Sequence, residues 1–144
     1  MKYLIILILT INAAQADSVK PSIETIAAIL HASKMHKIDA QALIKIAFIE
    51  SRFKNDAVRL NKNKTVDVGM FQINSVNWVK CQAYNILTIQ GNALCAAKLL
   101  ASHAKHGKHD KHWIGRYHSK THAKKLSYVK LLASVKTKKG SYEL

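Results

Sequence analysis

The chain has 144 residues and a formal charge of +15, from 23 Lys and Arg against eight acids. That length supplies one hydrophobic core without help from a metal or many disulfides, and the charge points to a polyanionic partner. No apolar run approaches the roughly 20 residues of a bilayer-spanning helix, so no transmembrane segment is expected.

The chain begins with features of an export signal. Lys2 provides a positive start, Tyr3 to Ile11 are apolar except for Thr10, and Ala14-Gln15-Ala16 has the small-x-small form of a cleavage site. These features predict a signal peptide over residues 1–16 and a mature domain over residues 17–144 that is periplasmic or secreted. Export also places the two cysteines, Cys81 and Cys95, where a thiol pair oxidises and stays oxidised. A disulfide between them is expected; two separately buried thiols are the alternative.

The apolar spacing of Ile23, Ile26, Ala27 and Leu30, just after Pro21, predicts a helix to about Lys34. Asp39 is placed to cap a second helix, in which Ala42 to Ile49 is apolar apart from Lys45 and therefore reads as buried. Residues 55–68 lack helical periodicity and contain Asn61-Lys62-Asn63-Lys64, the pattern of a loop or small hairpin. A short helix is expected around Trp78, and a longer one from about Asn92 to Lys105 that ends at Gly107. A further short helix fits residues 110–118. The last, Ala123 to Lys136, turns Leu126, Val129, Leu132 and Ala133 inward. The fold class is mainly α, a single helical globule with at most a small hairpin.

Glu50 differs from the other acids because Leu43, Ile46 and Ala47 precede it by seven, four and three residues, which puts its carboxyl on an apolar helical stripe. It also lies near the negative end of that helix. Burial and the helix dipole both disfavour the carboxylate, and a carboxyl that stays protonated is what a general acid needs. A boundary Glu that reaches water or pairs with Lys is the commoner meaning of such a position.

Ile49-Glu50-Ser51-Arg52-Phe53, followed by Gly69-Met70-Phe71-Gln72-Ile73-Asn74, resembles two motifs of the lytic transglycosylase family. Ile114-Gly115-Arg116-Tyr117-His118-Ser119 looks like its third motif, and Tyr128 sits where a closing tyrosine is expected. The similarity is nearest to the small muralytic enzymes of conjugation and type III or type IV secretion systems, whose components the resemblance implies as partners. It further implies a lysozyme-like fold and peptidoglycan glycan strands as substrate. By the same likeness Glu50 is the acid that then turns base, Ser51 orients it, Gln72 and Asn74 line the glycan cleft, Tyr117 sits beside the carboxyl, and Tyr128 is a further substrate-binding residue. No cofactor is implied. The family usually has Asn where this chain has His118, so the resemblance assigns no role to that position.

Glycoside hydrolases generally need two carboxylates, whereas the resembled family needs one and releases a 1,6-anhydro sugar. Asp67, near the presumed cleft, is the candidate second carboxylate of a lysozyme-type hydrolase, although a turn-forming Asp is the simpler reading. Twelve Lys or Arg residues and one acid, Asp110, lie between Lys98 and Lys139. Such a surface also suits a non-enzymatic cationic envelope-binding protein, and with export it favours an envelope polymer over nucleic acid. His103, His106, His109 and His112 recur at every third position, followed by His118 and His122, but no metal-ligand pattern is complete and no metal is expected. Trp78, Trp113 and Tyr117 could each stack on a sugar or pack in the core.

Overall fold

The computed structural model describes residues 19–107 and 112–136; the expected signal peptide, His109, Asp110, Lys138 and Lys139 lie outside the described residues. Helix α1 spans Ile23–His36, started by Ser22, whose Oγ accepts from the Thr25 amide, and stopped by Lys37 in the left-handed region at φ 54°. Helix α2 spans Ala40–Ser51; the expected Asp39 cap accepts from the amides of Gln41 and Ala42 at 3.3 and 3.2 Å. Its end at Arg52 is also left-handed, φ 54°, and the cap amide returns to the carbonyls of Ala47 and Phe48.

Strands β1 (Val58–Leu60), β2 (Val66–Val68) and β3 (Ile73–Asn74) form an antiparallel sheet in sequence order. The sheet therefore has one strand beyond the expected hairpin. A 3-10 helix at Ser75–Cys81 follows, then α3 (Ile89–His106), a second 3-10 helix at Trp113–Tyr117, and α4 (His122–Ser134). Both short helices fall where the sequence suggested, and Gly107 closes α3. Cys81 and Cys95 are bonded, with Cα atoms 5.4 Å apart, which pins the first 3-10 helix to α3.

The core lies between α1, α2 and α3 and extends to α4 through Tyr128 and Leu132. The inward face of α1 is rotated from the expected one. Thr25, Ile26, Ala28, Ile29 and Ala32 are buried, whereas Ala27 is exposed and Ile23 is 85% exposed. The reason is tertiary: α1 packs most extensively on α3, whose buried residues include Ala93, Ala96 and Ala97, and the side of α1 that is covered decides which of its residues are buried. On α4, Leu132 is buried and Leu126 and Val129 half-buried, but Ala133 is exposed; Lys125 and Tyr128 are the other buried residues. The arrangement is a mainly α fold with a small sheet, compatible with the lysozyme-like class.

Candidate active site

The end of α2, the sheet, and α4 with the turn before it meet around one carboxyl. They enclose a cavity of about 410 Å3 lined by Ile49 and Glu50 from α2, Arg59 from β1, His118, and Lys124, Ser127, Tyr128 and Leu131 from α4, with Ala123. Glu50 is there because the last turn of α2 carries the apolar stripe of Leu43, Ile46 and Ala47 into the core and leaves the next position at its margin. Its Oε1 accepts a 2.7 Å hydrogen bond from the Tyr128 hydroxyl. Oε2 has no protein partner among the described residues. Burial raises the Glu50 pKa above the ordinary carboxyl value; the Tyr128 bond and the positive charges of His118 and Arg59 pull it back without cancelling the rise, and Asp67 adds to it.

The ring of His118 stacks on that of Tyr128, with centroids 4.9 Å apart and planes 2° from parallel. Tyr128 is thus held on one side by a ring and at its tip by Glu50. Burial and the Glu50 charge raise its pKa far above the usual phenol value, so it stays a donor. Burial likewise raises that of Tyr117, with smaller contributions from Glu50 and Asp67. The Tyr117 hydroxyl does not bond Glu50; it donates to the Phe71 carbonyl at 2.8 Å and so fixes the segment between Gly69 and β3.

Ser51, Gln72 and Asn74 sit beside the site, with the Ser51 hydroxyl, Gln72 Nε2 and both Asn74 side-chain atoms engaged by backbone or network bonds. The Ser51 hydroxyl donates to the Met70 carbonyl at 2.8 Å rather than to Glu50, joining the end of α2 to the same segment. Gln72, at φ 48°, uses Nε2 to bond the carbonyls of Ala57 and Gly69, and Asn74 Nδ2 donates to Thr65 Oγ1 and Asp67 Oδ1. None of the three lines the cavity beside Glu50. Behind the segment, buried Asn92 accepts from the Phe71 amide and donates to the carbonyls of Val68 and Ile86. Gly69 takes φ 74° there, a conformation glycine adopts without strain, and any side chain at that position would also run into that amide.

Asp67 is a buried strand residue and not a turn former. Its Oδ2 accepts from Arg59 Nε at 3.1 Å, Arg59 Nη2 at 2.7 Å and Asn61 Nδ2 at 2.9 Å, and its Oδ1 accepts from Asn74 at 2.7 Å. Trp78 is 39% exposed with Nε1 donating to the Ile73 carbonyl, while Trp113 is half-buried against the core. Arg59 and Lys124 were not singled out by the sequence; the only available signal for Arg59 was its place in a short run that could pair with Asp67. His106 Nδ1 is engaged with the Ser102 carbonyl, and burial lowers the His103 pKa. No group of three or more His, Cys, Asp or Glu side chains gathers among the described residues.

The site thus brings one carboxyl of raised pKa to the wall of a cavity between α2, the sheet and α4. Residues 27–129 match the Transglycosylase SLT domain, and the chain belongs to that family. The family is that of lytic transglycosylases, whose substrate is peptidoglycan. No curated protein and no solved structure matches the chain.

Proposed function

We propose that this chain cleaves the β-1,4 bond between N-acetylmuramic acid and N-acetylglucosamine in peptidoglycan, with Glu50 as its one acid and base and a 1,6-anhydro sugar as product. The observation that carries the reading is the unequal state of the two nearby carboxyls. Glu50 has a raised pKa and an oxygen open to a ligand, whereas both oxygens of Asp67 are filled by donors. An inverting or retaining hydrolase needs its second carboxylate free to activate water or attack carbon, and Asp67 is in no such state.

The steps follow from that asymmetry. Protonated Glu50 gives its proton to the glycosidic oxygen as the bond from the muramic anomeric carbon breaks, and the N-acetylglucosamine 4-hydroxyl departs. The 6-hydroxyl oxygen of the same muramic residue bonds to that carbon and yields its proton to the Glu50 carboxylate, which restores the acid. Water takes no part. Tyr128 steadies the carboxylate between the two transfers, since its hydrogen bond favours the charged form.

Together with the signal-like segment 1–16 and the Cys81–Cys95 pair, this reading extends to a periplasmic or secreted enzyme that opens the wall locally for a secretion or conjugation apparatus. The test is Glu50→Gln, which keeps the Tyr128 bond through its amide oxygen but has no proton to give. It should fold, bind wall material and release no muropeptides. Undiminished release by the variant would remove Glu50 as the acid, whereas a wild type that binds wall material and releases nothing would return the chain to the cationic envelope-binding reading.

A further inference from the structure

The charges that line the Glu50 cavity are unbalanced. Arg59 from β1, Lys124 from α4 and His118 from the turn before α4 face a single carboxyl whose surroundings favour the neutral form. Of the two permanent cations, Arg59 is the one held by an ion pair. It pairs with Asp67 across the β1–β2 ladder, and Nε and Nη2 both bond the same carboxylate oxygen from behind. Asp67 is in turn fixed by Asn61 and Asn74. The Arg59 side chain remains 58% exposed while that of Asp67 is 6% exposed, so part of it stays accessible to a ligand. Nη1 has no protein partner among the described residues, and Arg59 lines the cavity that holds Glu50, near enough for its charge to act on that carboxyl.

Resting on the transglycosylase reading, we propose that Arg59 is a substrate-recognition residue whose guanidinium receives a carboxylate carried by the glycan strand beside the bond that Glu50 cleaves. The chemistry of the strand supplies such a group where it is needed. The muramic ring whose anomeric carbon reacts bears a lactyl arm at its neighbouring C3, and the arm ends in a carboxylate when bare or continues into a peptide that carries carboxylates of its own. An arginine anchored on one edge offers its remaining N–H groups in a preset direction, and this suits a carboxylate better than the mobile ammonium of Lys124. Binding there would hold the strand by its side arm equally in the ground state and the transition state, so it acts on KM.

The test compares the full-length wild type with Arg59→Gln and Arg59→Lys on stem-bearing strands, on strands stripped to the lactyl carboxylate, and on both after methyl esterification. For Arg59→Gln, KM should rise about ten- to a hundredfold on strands with free carboxylates, as loss of one charge-assisted contact implies, with kcat largely kept. Esterification should impose the same rise on the wild type and add nothing to Arg59→Gln, and Arg59→Lys should recover part of the loss. The strand type that shows the effect identifies the lactyl or the peptide carboxylate as the group bound. Because the esterified-substrate arm uses the wild type, a folding defect in a variant does not obscure it. Wild-type kinetics unchanged by esterification, or an Arg59→Gln defect equal on free and esterified strands, would overturn the assignment. Failure of the wild type to cleave any strand would instead defeat the transglycosylase reading, and this proposal with it.

Discussion

The phenolic hydroxyl of Tyr128 on α4 donates to Oε1 of Glu50 on α2 at 2.7 Å, joining residues 78 positions apart at the centre of the site. This bond lowers the Glu50 pKa against the larger upward push of burial. Tyr128→Phe removes the opposing influence, so Glu50 should hold its proton to still higher pH. The alkaline limb of kcat/KM, which falls as the acid ionises, should move to higher pH in the variant while kcat drops. Stability should fall by about 1 kcal/mol, the usual worth of one such bond. A limb that stays in place or moves to lower pH would contradict the proton assignment.

Glu50 also makes stability depend on pH in a defined direction. Its folded pKa lies above the value of 4.5 for the free group, so its favourable contribution is complete below about pH 4.5 and is lost as pH rises through the folded value. Glu50→Gln cannot ionise and escapes that loss. Thermal unfolding from pH 4 to pH 8 should show the variant gaining on the wild type as pH increases. A constant difference would mean that the carboxyl is no harder to ionise folded than unfolded.

Gly69 is the hinge of the segment that Ser51, Tyr117 and Asn92 hold by its backbone. Gly69→Ala places a side chain at φ 74° and against the amide of Asn92. The expected cost is about 2–4 kcal/mol in urea unfolding, from backbone strain and overpacking together. Activity should fall as well, because the Met70 and Phe71 carbonyls that anchor Ser51 and Tyr117 would move.

The Cys81–Cys95 bond lies on the first 3-10 helix and α3, and neither cysteine lines the Glu50 cavity. The double variant Cys81→Ser/Cys95→Ser should lose about 3 kcal/mol of stability in the chain-entropy account of a loop this short. Its kcat at 25 °C should match that of the wild type as long as the protein stays folded. Equal chemical denaturation of the two proteins would show that the loop adds no constraint.

Much of this fold was legible because its helices carry local signals. Asp39 announced α2, Gly107 marked the end of α3, and the stripe leading to Glu50 identified the one acid at a core margin. The starts and faces were less readable. Helix α3 begins at Ile89, earlier than apolar spacing suggests, because Thr88 accepts from the Gly91 amide and caps a first turn with little periodicity. On α1 the buried residues include Ala28 and Ala32, whose burial depends on what packs over the helix and not on their own hydrophobicity.

The site was legible in part. Glu50 and Tyr128 were named and meet, but the sequence could not show that Ser51, Gln72 and Asn74 spend their polar atoms on backbone and network bonds, since those partners arise only from the turn at Gly69 and from strand pairing. Arg59 was hidden for the same reason. Its strand is three residues long and exposed throughout, so the alternation of Val58, Arg59 and Leu60 is too short to mark a strand and points to no buried face, and the pairing with Asp67 becomes visible only in the fold.

The most direct test of the central claim is mass spectrometry of the muropeptides that the purified protein releases from sacculi, run beside Glu50→Gln. The account predicts 1,6-anhydromuramic ends from the wild type and no release from the variant. Reducing muramic ends from the wild type would contradict it and bring Asp67 back as a catalytic carboxylate.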